Sequence, residues 1–146
     1  MGINLKVKNF RCLRDVDWSP DGVCLLVGPN GAGKTTLFDS LRLLRLAYEL
    51  DPEQAVIACG GSYLRHKLAS PEDQVSITLD SGQWSWQFLV LYGEGPTESQ
   101  ILERMRDDSG HIYGKKSSDN STSIHNYLML RKSASLFIGE AAVPLR

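Results

Sequence analysis

The chain has 146 residues, 42% of them hydrophobic, enough for one modest domain with a core of its own. Its 16 Lys and Arg offset 17 Asp and Glu, a formal net charge of -1, which excludes a globally basic nucleic-acid binder and leaves only a local basic face open. No apolar run approaches membrane-spanning length and no signal-peptide pattern opens the sequence, so a cytoplasmic domain with no membrane partner is expected.

Ile3, Leu5 and Val7 alternate with polar residues, the period of a half-buried strand. Asn9-Phe10-Arg11 follows, then a second short stretch through Val16 and Trp18, and Ser19-Pro20-Asp21-Gly22 makes a turn. Residues 23–27, Val-Cys-Leu-Leu-Val, form a continuous apolar run, which predicts a strand buried on both faces. Leu37, Leu41, Leu44 and Tyr48 recur at helical spacing, predicting a helix over residues 33–49. Asp51-Pro52-Glu53-Gln54 carries an N-cap, a proline at the first helical position and a capping-box partner, so a second helix runs through Ile57 and stops at Gly60-Gly61. Val75, Ile77 and Leu79, then Trp84, Trp86, Phe88, Val90 and Tyr92, alternate about Asp80-Ser81-Gly82 and predict a hairpin with one aromatic, buried face.

Beyond the break at residues 93–96, the sequence is ambiguous. Thr97 and Gln100 could form a capping box, while Asp108-Ser109-Gly110 before His111-Ile112-Tyr113 suggests another hairpin. Residues 115–123 read as a polar loop and residues 124–138 as a helix. The cysteines, Cys12, Cys24 and Cys59, lack metal-ligand spacing and read as buried free thiols of a reducing compartment.

The run Gly28-Pro29-Asn30-Gly31-Ala32-Gly33-Lys34-Thr35 satisfies G-x-x-x-x-G-K-[ST], between an apolar run and an amphipathic helix. Small residues let backbone N–H groups curl around phosphate oxygens, and the helix start points its positive dipole end at the same anion. Lys34 supplies charge for the β- and γ-phosphates, the Thr35 hydroxyl is placed to ligate Mg²⁺, and Thr36 to reach the α-phosphate. ATP and Mg²⁺ are the expected cofactors.

With these residues in view, the stretch from LKVKNFRCLRDVDW to LLVGPNGAGKTTLFDSLRLL resembles the opening of the RecF/SMC/Rad50-like ATPases. These belong to the ABC superfamily, and AAA-type ATPases of OLD nucleases and anti-phage defence systems are related. The resemblance implies an α/β fold with a mainly parallel P-loop core (residues 1–61), an antiparallel β-lobe (residues 75–116) and the start of a helical region (residues 124–146). It implies that Arg11 lies at the nucleotide margin, where the bland alternative is an exposed strand-end charge. It also implies a glutamine sensing Mg²⁺ and the γ-phosphate; Gln74 is the candidate, against a solvated loop glutamine.

Hydrolysis needs carboxylates that hold Mg²⁺ and orient water. The family places them after a short apolar strand, as Asp-Glu. Residues 89–94 and 135–140 come close, but each has Gly where the Asp should be, at Gly93-Glu94 and Gly139-Glu140. A Ser-Gly-Gly-Gln signature does not occur, and Gly60-Gly61-Ser62 reads as a helix stop. No catalytic residue is therefore assigned. The expected function is the ATP- and Mg²⁺-binding half of an ATPase head, completed by further sequence or a second subunit, with a homodimer or such an assembly as partner. DNA enters by resemblance alone. Two alternatives stand beside it: a Toprim-bearing nuclease with Glu94 as a metal ligand and Asp107-Asp108 as the later acids, and a nucleotide-gated interaction module that never hydrolyses.

Overall fold

The computed structural model describes residues 2–93 and 99–116. Six strands form one sheet in the order β2-β1-β3-β4-β5-β6, and every pairing in it is antiparallel. They are β1 (Asn4–Phe10), β2 (Leu13–Trp18), β3 (Val75–Asp80), β4 (Ser85–Tyr92), β5 (Ser99–Arg106) and β6 (Ile112–Lys116). Two helices, α1 (Lys34–Glu49) and α2 (Pro52–Ala58), pack together, α1 lies against β1, and both join the sheet's apolar face in one core.

Period-two patterning builds the sheet. The register sets Leu5 opposite Leu79, Val7 opposite Ile77, Ile77 opposite Phe88 and Leu79 opposite Trp86, so one face is apolar across three strands. All of these side chains are essentially inaccessible to water. Trp86 and Phe88 contribute most per residue, because aromatic rings bury the largest area and gain from ring packing. Onto this face α1 lays Leu37, Leu43, Leu44 and Ala47. Each buried Leu or Val is worth roughly 1.5–3 kcal/mol relative to exposure, so the sheet–helix contact carries most of the fold. On α2 the N-cap acts as its sequence predicts: the Asp51 carboxylate accepts from the Gln54 N–H at 2.9 Å.

Several expectations change. Residues 23–27 lie outside the sheet, with Val23, Leu25 and Val27 at 105%, 86% and 77% exposure; only Leu26 packs on the core. A strand buried on both faces needs a neighbour on each side, and among the described residues none stands beside this one. The parallel core is missing among the described residues for the same reason. The ambiguous stretch resolves as strand, with β5 and β6 extending the β3–β4 hairpin and residues 115–116 in β6 instead of a loop. Cys12 and Cys24 are exposed, and only Cys59 is buried. The β3–β6 strands share their sheet with β1 and β2. The loop over residues 117–123 and the helix over residues 124–138 lie outside the described residues.

At the end of β4 the Tyr92 hydroxyl donates to the Gly61 carbonyl at 3.1 Å, and the Arg65 guanidinium sits 5.9 Å from the ring centroid. Burial pushes the Tyr92 phenol up to about 12, against a smaller opposing effect of Arg65. The folded pKa is raised, so this contribution to stability is complete below pH 10 and is lost as pH climbs from 10 to 12. Tyr92→Phe should cost about 1 kcal/mol in urea unfolding at neutral pH, and the gap from the wild-type protein should narrow across that alkaline window.

Candidate nucleotide site

The glycine-rich loop leads into α1 through Gly33, whose φ of 90° lies in the left-handed region, and no side chain caps the helix. Gly31 is left-handed as well, at 85°. A single turn closes the loop, with the Ala32 N–H donating to the Pro29 carbonyl at 3.2 Å. Lys34 folds back over it: its ammonium donates to the carbonyls of Gly28 at 2.6 Å and Pro29 at 2.7 Å. A cation thus stands at the loop mouth, held by the loop's own oxygens.

The donors fit a polyphosphate. The first amides of α1 have no intrahelical acceptor by construction, the helix dipole adds to them, and Lys34 supplies a mobile charge. Thr35 is exposed at the same helix start, Asn30, Gly31 and Ala32 are exposed on the loop, and a Cβ at Gly31 would meet nothing within 4 Å. The first acid within α1 is Asp39, so the first turn carries no charge that would repel an anion.

Gly33 has a second constraint that the motif alone does not show. A Cβ there would stand 2.8 Å from Leu13 Cδ2 and 3.3 Å from Cys12 Sγ. The turn between β1 and β2 therefore presses against the base of the loop. Cys12 also donates from Sγ to Thr36 Oγ1 at 3.3 Å. Sequence reasoning missed Cys12 and Leu13, because no local pattern announces a contact between residues 20 apart in the chain.

Arg11 belongs to that turn. Its guanidinium is paired with the Asp39 carboxylate of α1 and donates to the Cys59 carbonyl at 2.8 Å, stacking near Phe10 at 5.5 Å. It is thus directed into the helix pair in this structure. Gln74 is exposed just before β3, and its carbonyl accepts from Asn9 Nδ2 at 3.2 Å, which ties it to the same turn. The structure therefore gathers Arg11, Gln74 and the base of the loop around residues 9–13.

Of the remaining candidates, Glu94, Gly139 and Glu140 lie outside the described residues. Asp107 is engaged in the β5–β6 turn, accepting from the His111 N–H at 2.9 Å and the Tyr113 hydroxyl at 3.0 Å. Partial desolvation raises its pKa, but those hydrogen bonds and the nearby His111 outweigh it and hold the carboxyl below its ordinary value. Among the described residues no three His, Cys, Asp or Glu cluster as a metal site, and no helix is long and apolar enough to cross a membrane.

An antiparallel sheet backed by two helices, with a glycine-rich loop opening the first, is a mixed α/β arrangement consistent with a P-loop ATPase core. The chain matches the AAA domain family AAA_23 over residues 4–132 and belongs to it. A curated relative is the OLD nuclease of Thermus scotoductus, 52% identical over 40 residues. That match covers 27% of this chain and 8% of the nuclease. Among solved structures, one described as "Structural biochemistry of ATP-driven dimerization and DNA stimulated activation of SMC ATPases" is similar at 16% identity and a TM-score of 0.45, covering 99% of this chain and 86% of that one.

The two loop glycines can be separated by substitution. Gly31→Ala adds only left-handed strain, about 1–2 kcal/mol, whereas Gly33→Ala adds the same strain and displaces Leu13 from the core. Urea unfolding should show Gly33→Ala to be the more destabilising of the two, by about 1 kcal/mol or more. Equal losses would show that the turn does not press on the loop.

Proposed function

We propose that this chain binds Mg·ATP at residues 28–36 as one half of an ABC-type ATPase head, and that turnover requires an acidic strand from further sequence or from a second subunit. The carrying observation is the loop itself: a left-handed Gly33, an uncapped helix start and a lysine folded onto the Gly28 and Pro29 carbonyls. A bound triphosphate would supply the anionic charge and the γ-phosphoryl group. Lys34 would exchange the two carbonyls for phosphate oxygens, and the amides at the start of α1 would hold the anion. Thr35 is the residue that would hold Mg²⁺.

Residues 23–27 support the second half of the proposal. An apolar segment outside regular secondary structure, with Val23, Leu25 and Val27 open to water, sits immediately before the loop. Exposed apolar area of this kind marks a surface made to be covered, and added strands are one way to cover it. A strand placed there would end beside the phosphates, where a water-orienting carboxylate is needed. We propose the same assembly for a homodimer or for a C-terminal lobe. For the whole protein we propose work on DNA, in keeping with a relative named a nuclease. A nuclease site in this chain is the weaker reading, since Asp107 is engaged in its own turn.

Two assays test this. Calorimetry should show Mg·ATP binding by the wild-type chain and at least a tenfold loss for Lys34→Ala, the size expected for charge-assisted hydrogen bonds removed from a folded protein. Phosphate release by the 146-residue chain should stay below about one turnover per minute, far from the ~10 per second of a typical enzyme. Unchanged binding in folded Lys34→Ala would defeat the site assignment, and steady turnover by the chain alone would defeat the need for a partner.

A further inference from the structure

Backbone amides, Lys34 and threonine hydroxyls at residues 28–36 can hold phosphates, and none of them has a surface on which a base could stack. Thr36 sets the direction of the rest of a nucleotide. It is placed to reach the α-phosphate, the one that carries the sugar, and Cys12 Sγ lies 3.3 Å from its Oγ1. Sugar and base would therefore leave the loop on the side of residues 9–12.

A short 3-10 helix, Gly61–Leu64, is fastened to those same residues. The Leu64 carbonyl accepts from the Arg11 N–H at 2.6 Å, and the His66 N–H donates to the Asn9 carbonyl at 2.8 Å. At its start the Tyr92 hydroxyl donates to the Gly61 carbonyl at 3.1 Å, and the Tyr63 N–H donates to the Gly60 carbonyl at 3.0 Å. On this fixed support two neighbours meet opposite surroundings. Leu64 is wholly buried, whereas Tyr63 is 86% exposed. Single apolar side chains in water are ordinary, so exposure alone says little. Position sets Tyr63 apart: it stands one residue from a backbone contact with the strand end that adjoins the phosphate loop. Its ring settles only two torsions, so ordering it against a ligand costs little.

We infer that Tyr63 is the base-stacking wall of the nucleotide site, its ring lying against the face of a purine whose phosphates are held at residues 28–36, an inference that rests on the nucleotide reading of that loop. Stacking tolerates any base, because every base has a π-face. Tyr63 thus selects a nucleoside triphosphate over a bare polyphosphate without separating adenine from guanine. The ring carries the contact, and the hydroxyl is dispensable.

The test uses the full chain and three ligands with Mg²⁺: ATP, GTP and inorganic tripolyphosphate, a phosphate chain without sugar or base. Calorimetry on the wild-type protein should give tighter binding of ATP than of tripolyphosphate. Tyr63→Ala should weaken ATP and GTP alike, by about tenfold or more, the size of one stacking contact. It should leave tripolyphosphate affinity and the thermal midpoint at their wild-type values, since the ring is exposed and the loop untouched. Tyr63→Phe should keep ATP affinity within about twofold of wild type. Ile57→Ala, which removes a side chain that is 73% exposed on α2, is the control and should change neither affinity.

Unchanged ATP affinity in Tyr63→Ala would overturn the inference, as would equal losses for ATP and tripolyphosphate, which would place the effect on the phosphate loop. A loss in Tyr63→Phe as large as in Tyr63→Ala would also overturn it, because the hydroxyl and not the ring would then make the contact. Wild-type protein that binds neither ATP nor tripolyphosphate would instead sink the nucleotide reading, and this inference with it. Binding of both with equal strength would leave that reading standing and remove the base contact alone.

Discussion

The backbone between β1 and β2 is held in a conformation that it would not choose alone. Two left-handed residues, Asn9 near the end of β1 and Arg11 in the turn itself, cost about 1–2 kcal/mol each. They persist because the turn is anchored on several sides. The His66 N–H donates to the Asn9 carbonyl at 2.8 Å, Asn9 Nδ2 reaches the Gln74 carbonyl, Arg11 reaches α1 and the end of α2, and Phe10 is wholly buried. Through this turn the sheet dictates where α1 begins, and the beginning of α1 is the candidate site. Gly33 serves two masters: its left-handed φ starts the helix, and its missing Cβ makes room for Leu13.

The sheet and the loop are unequal in how completely they are satisfied. From β1 to β5 apolar side chains face helices or one another, and register fixes each pair. Immediately before the loop, the apolar residues Val23, Leu25 and Val27 face water. That contrast shapes the functional reading. A phosphate cradle made of local backbone, one lysine and one helix start can form from a continuous stretch of chain. A hydrolytic centre needs groups brought in from elsewhere, and the flank on which they would arrive is open.

Much of this was legible in the sequence. The alternation of Leu5 and Val7, and of Ile77, Leu79, Trp86 and Phe88, gave the strands because a sheet with one buried face has period two. Asp51-Pro52 gave the start of α2 because capping is local chemistry. The glycine-rich loop was legible for the same reason. The run over residues 23–27 misled because continuous hydrophobicity reports what a segment requires, whereas burial depends on what lies beside it. The ambiguity over Thr97 to Asp107 arose because Ile101, Glu103 and Met105 alternate in a stretch that also offers a capping box. Pairing with β4, a tertiary contact, selects the strand over residues 99–106. Nothing local could disclose that Arg11 meets Asp39, or that Leu13 rests on Gly33.

We propose that a loop fastened to the β1–β2 turn presents a ready cradle for phosphate. Amide hydrogen exchange of the full chain, with and without Mg·ATP, reads that claim residue by residue. New protection should centre on residues 31–36, while residues 23–27 go on exchanging rapidly because nothing among the described residues covers them. Mg·ATP protection that spares residues 31–36 and falls elsewhere, or none at saturating nucleotide, would contradict it.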